Sequence, residues 1–370
     1  MGFGCEVKVF AGRTVRSGRF VESQQRQEQP QSRVVLGRYS MVTEKAGIVG
    51  EGHFSRCHKG IDLVTGAEVA IKVYKRVSMA DATATAVALR KFRRQVTVLE
   101  ELQRPLKRPR DQSLWSEELA AAEPSDLFLR MLDYSRDADG QPGPDPGDGI
   151  MYIVTEIGQY SLKQFLAERR QERRPLSEAK VWRLARKVVL IVAGLHAKGL
   201  VHLDLKPDNL MMFDGCLKLI DVDGCVPVGS ALDLNDTSIS YSPCYCAPEW
   251  AHFVACGEKG SIAAETSLDV WSVGMTVAEL VSLSAVMKPR YMQFARAEPR
   301  RGGVCRSFME WLGHLEIAPL PEVVRNFDTE LRVLLEGSLL CEGSRRASLA
   351  QCLSQPYLTT VSAGAAIKRG

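Results

Sequence analysis

The chain has 370 residues, 45% of them hydrophobic and 25% charged, and a formal net charge of +4. That length permits one large domain or two modest ones, the balance is that of a soluble globular protein, and the charge falls short of a nucleic-acid binder's basic signature. Ten cysteines without a CxxC pair read as free, mostly buried thiols of a reducing compartment, cytoplasmic or nuclear, rather than a disulfide or zinc framework. The longest apolar runs, residues 188–195 and 271–287, are interrupted by His196 and Glu279. Both fall short of the roughly 18 residues of a membrane span and read as core helices. No signal-peptide pattern opens the sequence. Glu6 stands where N-myristoylation of Gly2 would want Ser or Thr, so the terminus reads as unmodified.

Residues 1–40 combine scattered arginines with a polar run over 23–32 that buries too little apolar surface to offset its ordering entropy. They read as a flexible extension, although residues 6–10 have strand character with no evident partner. From Tyr39 onward, residues 46–49, 56–60 and 68–74 read as short strands separated by turn residues at Gly50-Glu51-Gly52 and Thr65-Gly66. Apolar residues at 88, 89, 92, 96, 99 and 102 predict a helix over 84–102. Residues 103–125, with Arg104, Lys107, Arg108 and Arg110, read as a solvated insertion rather than an import signal. A second loop, 137–149, separates expected strands at 127–132 and 151–156.

Beyond Gly158 the pattern is mostly helical. Ser177 is a good N-cap for a helix that carries Glu178 in its first turn and ends near Lys198-Gly199. Further helices are expected over 267–283, 308–315, 329–340 and 349–353. There is no internal repeat.

The segment His202-Leu203-Asp204-Leu205-Lys206-Pro207-Asp208-Asn209 carries the chemistry. It places a carboxylate, a cation and an amide on one short loop. A second carboxylate, Asp221, follows an apolar strand. Phosphoryl transfer from a nucleotide needs those parts: a carboxylate for the attacking hydroxyl, a cation for the transferred phosphate, and an amide plus a carboxylate for Mg²⁺. The segment resembles the catalytic loop of eukaryotic protein kinases. Other motifs follow the same order. Gly50-Glu51-Gly52-His53-Phe54-Ser55 resembles the glycine-rich loop, Val69-Ala70-Ile71-Lys72 the strand with the phosphate-binding lysine, and Val154-Thr155-Glu156-Ile157-Gly158 the hinge. Ala247-Pro248-Glu249 resembles the end of the activation segment, and Asp269-Val270-Trp271 the start of the buried helix that supports the catalytic loop. These last two, with Arg346 in Ser344-Arg345-Arg346-Ala347-Ser348, set the chain apart from small-molecule kinases that share a His-x-Asp…Asn pattern.

The resemblance covers roughly residues 40–358 and implies an α+β, two-lobed protein-kinase fold. A small strand-rich N-lobe with one main helix (41–157) would precede a larger helical C-lobe (158–358), with a tail over 359–370. It implies a serine/threonine protein kinase with ATP and Mg²⁺, or Mn²⁺, acting on a protein; the oligomeric state stays open. Asp204 and Lys206 would be catalytic, and Asn209 and Asp221 would hold the metal. Val49, Gly50, Gly52, Cys57, Ala70 and Lys72 would contact the nucleotide, together with Glu156, Ile157 and Met211. His202, Ser242, Glu249, Asp269 and Arg346 would support the loop, Arg346 pairing with Glu249 and Ser242 contacting Asp204 and Lys206. Four positions depart from the family pattern. Gln95 replaces the helix Glu that faces Lys72, Leu203 the Arg before the catalytic Asp, Val222 a Phe, and Asp223 a Gly. They keep a pseudokinase, a nucleotide-binding scaffold or regulator, as the alternative.

Overall fold

A computed structural model describes residues 31–51, 55–74, 82–234, 239–257, 260–297 and 305–358. The expected short strand at 6–10, Gly52, and Thr237 and Ser238 of the activation segment fall outside them. The described chain divides into two compact units, residues 31–96 with 130–157 and residues 97–129 with 158–358.

The smaller unit is a sheet of β1 (Ser32–Val35), β2 (Tyr39–Val42), β3 (Ile48–Glu51), β4 (Ser55–Asp62), β5 (Glu68–Tyr74), β6 (Met131–Tyr134) and β7 (Tyr152–Glu156). Its order is β1-β2-β4-β5-β7-β6, with β3 also on β4 and every pairing antiparallel. β1 corrects the reading of residues 32–40 as part of a flexible extension. Val35, Tyr39 and Met41 join Val69, Ile71, Tyr152 and Val154 in one buried cluster, and that apolar face fixes the β1–β2 hairpin. The expected strand over 127–132 starts late, because Pro124 opens a helical turn through Leu127 and pairing with β7 begins at Met131.

Side chains alternate along a strand, so Ala70, Lys72 and Tyr74 share the face of β5 opposite that cluster. Helix α1 (Ala82–Gln103) supplies Phe92 and Gln95 to this face, its ring and amide reaching Tyr74. Ala88, Phe92, Val96, Leu99 and Leu102 are buried as the helical period predicts.

In the larger unit, the insertion carries two single-turn helices, α2 (Glu117–Ala120) and α3 (Pro124–Leu127). Leu119 and Leu127 pin it beside Gly194, where any Cβ would come within 2.9 Å of Leu127. Strand β8 (Tyr160–Ser161) leads into α4 (Leu162–Gln171), which Ser161 and Gln164 start with a reciprocal capping box. Helix α5 (Glu178–Ala197) follows. Ser177 occupies its N-cap position but makes no side-chain cap bond, contrary to expectation; its carbonyl receives the first amide groups instead.

Short strands β9 (Leu200–Val201), β10 (Leu210–Phe213), β11 (Cys216–Leu219), β12 (Val226–Pro227) and β13 (Ala231–Leu232) then frame the loops. Helix α6 (Pro248–Cys256), strand β14 (Ile262–Ala263) and helix α7 (Thr266–Ser282) come next. Helices α8 (Lys288–Ala297), α9 (Arg306–Gly313), α10 (Glu322–Arg325), α11 (Thr329–Ser338) and α12 (Leu349–Leu353) complete the unit. The core lies between α5 and α7; α7 is buried nearly all round, whereas α5 keeps Lys180, Arg183, Arg186 and Lys187 on its more open side. No helix among the described residues is long and apolar enough to cross a membrane.

Candidate active site

Asp269, in the first turn of α7 and wholly buried, organises the catalytic loop. Its carboxylate accepts the backbone N–H groups of His202 (2.7 Å) and Leu203 (2.9 Å), and His196 Nε2 lies 3.1 Å away. Burial opposes its ionisation, but His196 and these backbone donors outweigh burial and hold the carboxyl below its ordinary pKa. Leu203 adopts a left-handed conformation (φ 68°) that a leucine tolerates only under external constraint, and Asp269 provides it. His202 is buried and its Nδ1 accepts the Asp204 N–H at 3.3 Å.

Lys206 Nζ donates to Asp204 Oδ2 and to Ser242 Oγ, each at 2.8 Å. Burial weakens its charge, yet Asp204, with Asp208 and Asp221, outweighs this and raises the ammonium pKa above that of ordinary lysine. The other carboxylate oxygen, Asp204 Oδ1, is buried with no hydrogen-bond partner among the described residues. A buried acceptor left unsatisfied costs about 1–3 kcal/mol, so this atom is set for a donor that none of the described residues supplies.

Asn209 Nδ2 donates to the Asp204 carbonyl at 2.9 Å, which leaves the amide oxygen as the end for a cation. Its carbonyl accepts the Ile220 N–H, extending the β10–β11 register by one pair. That register sets Asp221 one residue past the position opposite Asn209. Asp221 is itself left-handed (φ 57°). An amide oxygen and a carboxylate are hard donors suited to Mg²⁺ that retains phosphate or water ligands. Among the described residues no three His, Cys, Asp or Glu side chains converge on a metal position.

Behind the loop, Arg346 and Glu249 form a two-pronged pair (2.7 and 2.9 Å), and the guanidinium also donates to the carbonyls of Leu340 and Ser267, each at 2.7 Å. Lys163 and Tyr245 both donate to buried Glu279, at 2.8 and 2.6 Å. Sequence reasoning noted Glu279 only as a break in an apolar run; its partners lie on segments too distant in sequence to reveal the pairing.

In the smaller unit, Gly50, Cys57 and Lys72 lie in one cross-strand row, and Ala70 lies opposite Thr155. Burial pushes the Cys57 thiol up to about 11 despite the opposing charge of Lys72. Val49 is exposed and Ile157 half-buried. Glu156 is tied to Arg130 through both its backbone N–H (3.1 Å) and its side chain (2.8 Å), and the Thr155 hydroxyl donates to its carbonyl. Met211, in the larger unit, packs so closely on Gly158 that a Cβ there would meet its sulfur at 2.5 Å.

One expectation is corrected. Gln95 is buried as the helix register requires, but its oxygen accepts the Tyr74 hydroxyl rather than the Lys72 ammonium. Tyr74 was missed by sequence reasoning, although its place two residues after Lys72 on one strand face was a usable signal. Glu101 belongs to the larger unit and pairs within it with Arg104 and Lys198.

The protein kinase domain family matches residues 134–358, and the chain belongs to the protein kinase family. It is 28% identical over 264 residues to the serine/threonine-protein kinase MPS1 of Saccharomyces cerevisiae, covering 68% of this chain and 28% of that protein. It is 26% identical over 331 residues to the cyclin-dependent kinase B2-1 of Oryza sativa, covering 86% and 90%. With the serine/threonine-protein kinase PknG of Mycobacterium leprae it shares 34% over 148 residues, 40% of this chain and 17% of that one. The chain thus spans only 28% of the yeast relative's length.

Proposed function

We propose that the chain is an active serine/threonine protein kinase that transfers the γ-phosphate of ATP to a protein hydroxyl. The observation that carries this reading is the buried, unpartnered Asp204 Oδ1 beside a lysine held by Asp204 and Ser242. Asp204 would accept a hydrogen bond from the substrate hydroxyl and take its proton as that oxygen bonds to the γ-phosphorus. The bond from phosphorus to the bridging oxygen breaks and ADP leaves. Lys206 would neutralise charge gathering on the transferred group, Lys72 would hold phosphate oxygens, and the hinge backbone would bind the adenine edge. Asn209 and Asp221 would hold Mg²⁺, or Mn²⁺, which supplies charge neutralisation at the phosphates. Lys206 and Ser242, together with the likeness to serine/threonine-protein kinases, support serine and threonine as acceptors. The nine free cysteines among the described residues support a cytoplasmic or nuclear setting.

The second reading, a pseudokinase, draws on Gln95, whose oxygen is engaged by Tyr74 and which brings no charge to Lys72. Turnover of ATP on a generic protein substrate with Mg²⁺ or Mn²⁺, beside a nucleotide thermal-shift measurement, separates the two. A shift with turnover is the expected result; a shift without turnover would sink the enzyme reading.

Regulation gives a further prediction. In many kinases the Arg before the catalytic Asp binds an activation-segment phosphate, whereas Leu203 here is buried and uncharged. Replacing Thr237, Ser238 and Ser240 together by Ala should therefore change basal activity less than about threefold. A larger loss, reversed by phosphorylating the wild type, would show that another cation serves that role.

A further inference from the structure

At the helix position where a carboxylate would pair with the phosphate-binding lysine, this chain has a neutral amide that fixes an aromatic ring. Tyr74 follows Lys72 by two residues on β5, so both side chains leave the same face of the strand. Lys72 Nζ lies over the Tyr74 ring, 5.8 Å from its centroid. Two side-chain contacts hold the ring, and a backbone bond ties the residue. Its edge meets Phe92 of α1 at 5.3 Å and 89°, its hydroxyl donates to Gln95 Oε1, and its backbone N–H donates to the Met151 carbonyl at 3.0 Å. Tyr74, Phe92 and Gln95 are 2%, 0% and 3% exposed, so little water competes for the ring or for the hydroxyl.

A ring presents negative potential on its face, and an ammonium within about 6 Å of the centroid is attracted to it, more so when the pair is shielded from water. The attraction orients the lysine only if the ring is itself held, and Phe92 and the Gln95 hydrogen bond hold it. The Gln95 amide oxygen accepts a hydrogen bond from the hydroxyl and stays neutral in this buried layer.

We propose that Tyr74 is a positioning residue for Lys72, and that Gln95 acts on the lysine through Tyr74 rather than by contacting it. The expected benefit to phosphate binding rests on the kinase reading above; the hold on Lys72 does not. Helix α1 would then be coupled to the lysine through Phe92, Gln95 and the ring.

The test uses the full chain without nucleotide. The rate at which acetic anhydride acetylates Lys72, followed by mass spectrometry, is compared in wild type, Tyr74→Leu, Tyr74→Phe, Gln95→Leu and the Tyr74→Phe/Gln95→Leu double variant. Tyr74→Leu should raise the rate about tenfold, and should lower kcat/KM for ATP about tenfold, chiefly through KM. Tyr74→Phe and Gln95→Leu each loosen the ring without removing it, so each should raise the rate about twofold, and the double variant no further. An unchanged rate in folded Tyr74→Leu overturns the proposal. If that variant lacks a melting transition, the cycle decides: additive effects, or none, overturn it, and a shared effect supports it. Labelling needs no catalysis. A wild type that transfers no phosphate while the labelling follows this pattern would remove the kinase reading and leave the Tyr74–Lys72 contact standing.

Discussion

Replacing Asp204 by Asn is expected to leave folding and ATP binding near wild type and to cut turnover by about a hundredfold or more. The amide keeps the shape of the carboxylate and still offers an oxygen to Lys206, which lies 2.8 Å from Asp204 Oδ2. It no longer offers a basic acceptor at both oxygens, and Asp204 Oδ1 is the atom without a partner. Loss of rate with unchanged nucleotide affinity is the signature of an interaction made with the substrate hydroxyl alone. Unchanged turnover in a contaminant-free preparation would take Asp204 out of the mechanism.

The second large effect is on stability. Asp269→Ala removes the acceptor of two buried backbone N–H groups and the partner of His196. Orphaning such donors should cost about 3–5 kcal/mol, read as a lower urea midpoint. The catalytic loop would also lose the constraint that keeps Leu203 left-handed, so turnover should fall in any population that stays folded. The pH dependence has a definite sign. The folded-state pKa of Asp269 lies below its unfolded value, so its contribution is present above the ordinary carboxylate value near 4 and fades as pH falls through the folded pKa. The gap between wild type and Asp269→Ala should therefore be constant at neutral pH and narrow only below about pH 4. A gap that stayed constant into strong acid, or vanished at neutral pH, would contradict the role given to this carboxylate.

How much of this was readable beforehand depends on where each partner lies in the chain. Asp204, Lys206 and Asn209 share one loop and Asp221 follows the next strand, so their types and spacing announce phosphoryl transfer before any folding. The edges were misread where local composition misleads. Residues 32–35 follow directly on the polar run over 23–32, yet β1 forms because Val35 closes a core that Tyr39, Ile71 and Tyr152 complete. The apolar run from Leu127 looks like strand from its start, yet Pro124 fixes a helical turn ahead of it.

Sequence by itself determined the protein kinase family, the order of strand-rich and helical segments, and the burial of α1, α5 and α7, because hydrophobic period and contiguous motifs are local properties. Tertiary structure decided the pairings between distant side chains. It set Tyr74 on Gln95, and Lys163 and Tyr245 on Glu279, and left one oxygen of Asp204 without a partner among the described residues. A buried polar atom must be satisfied by whatever the fold brings within about 3 Å of it. No local pattern records which of several distant donors arrives there.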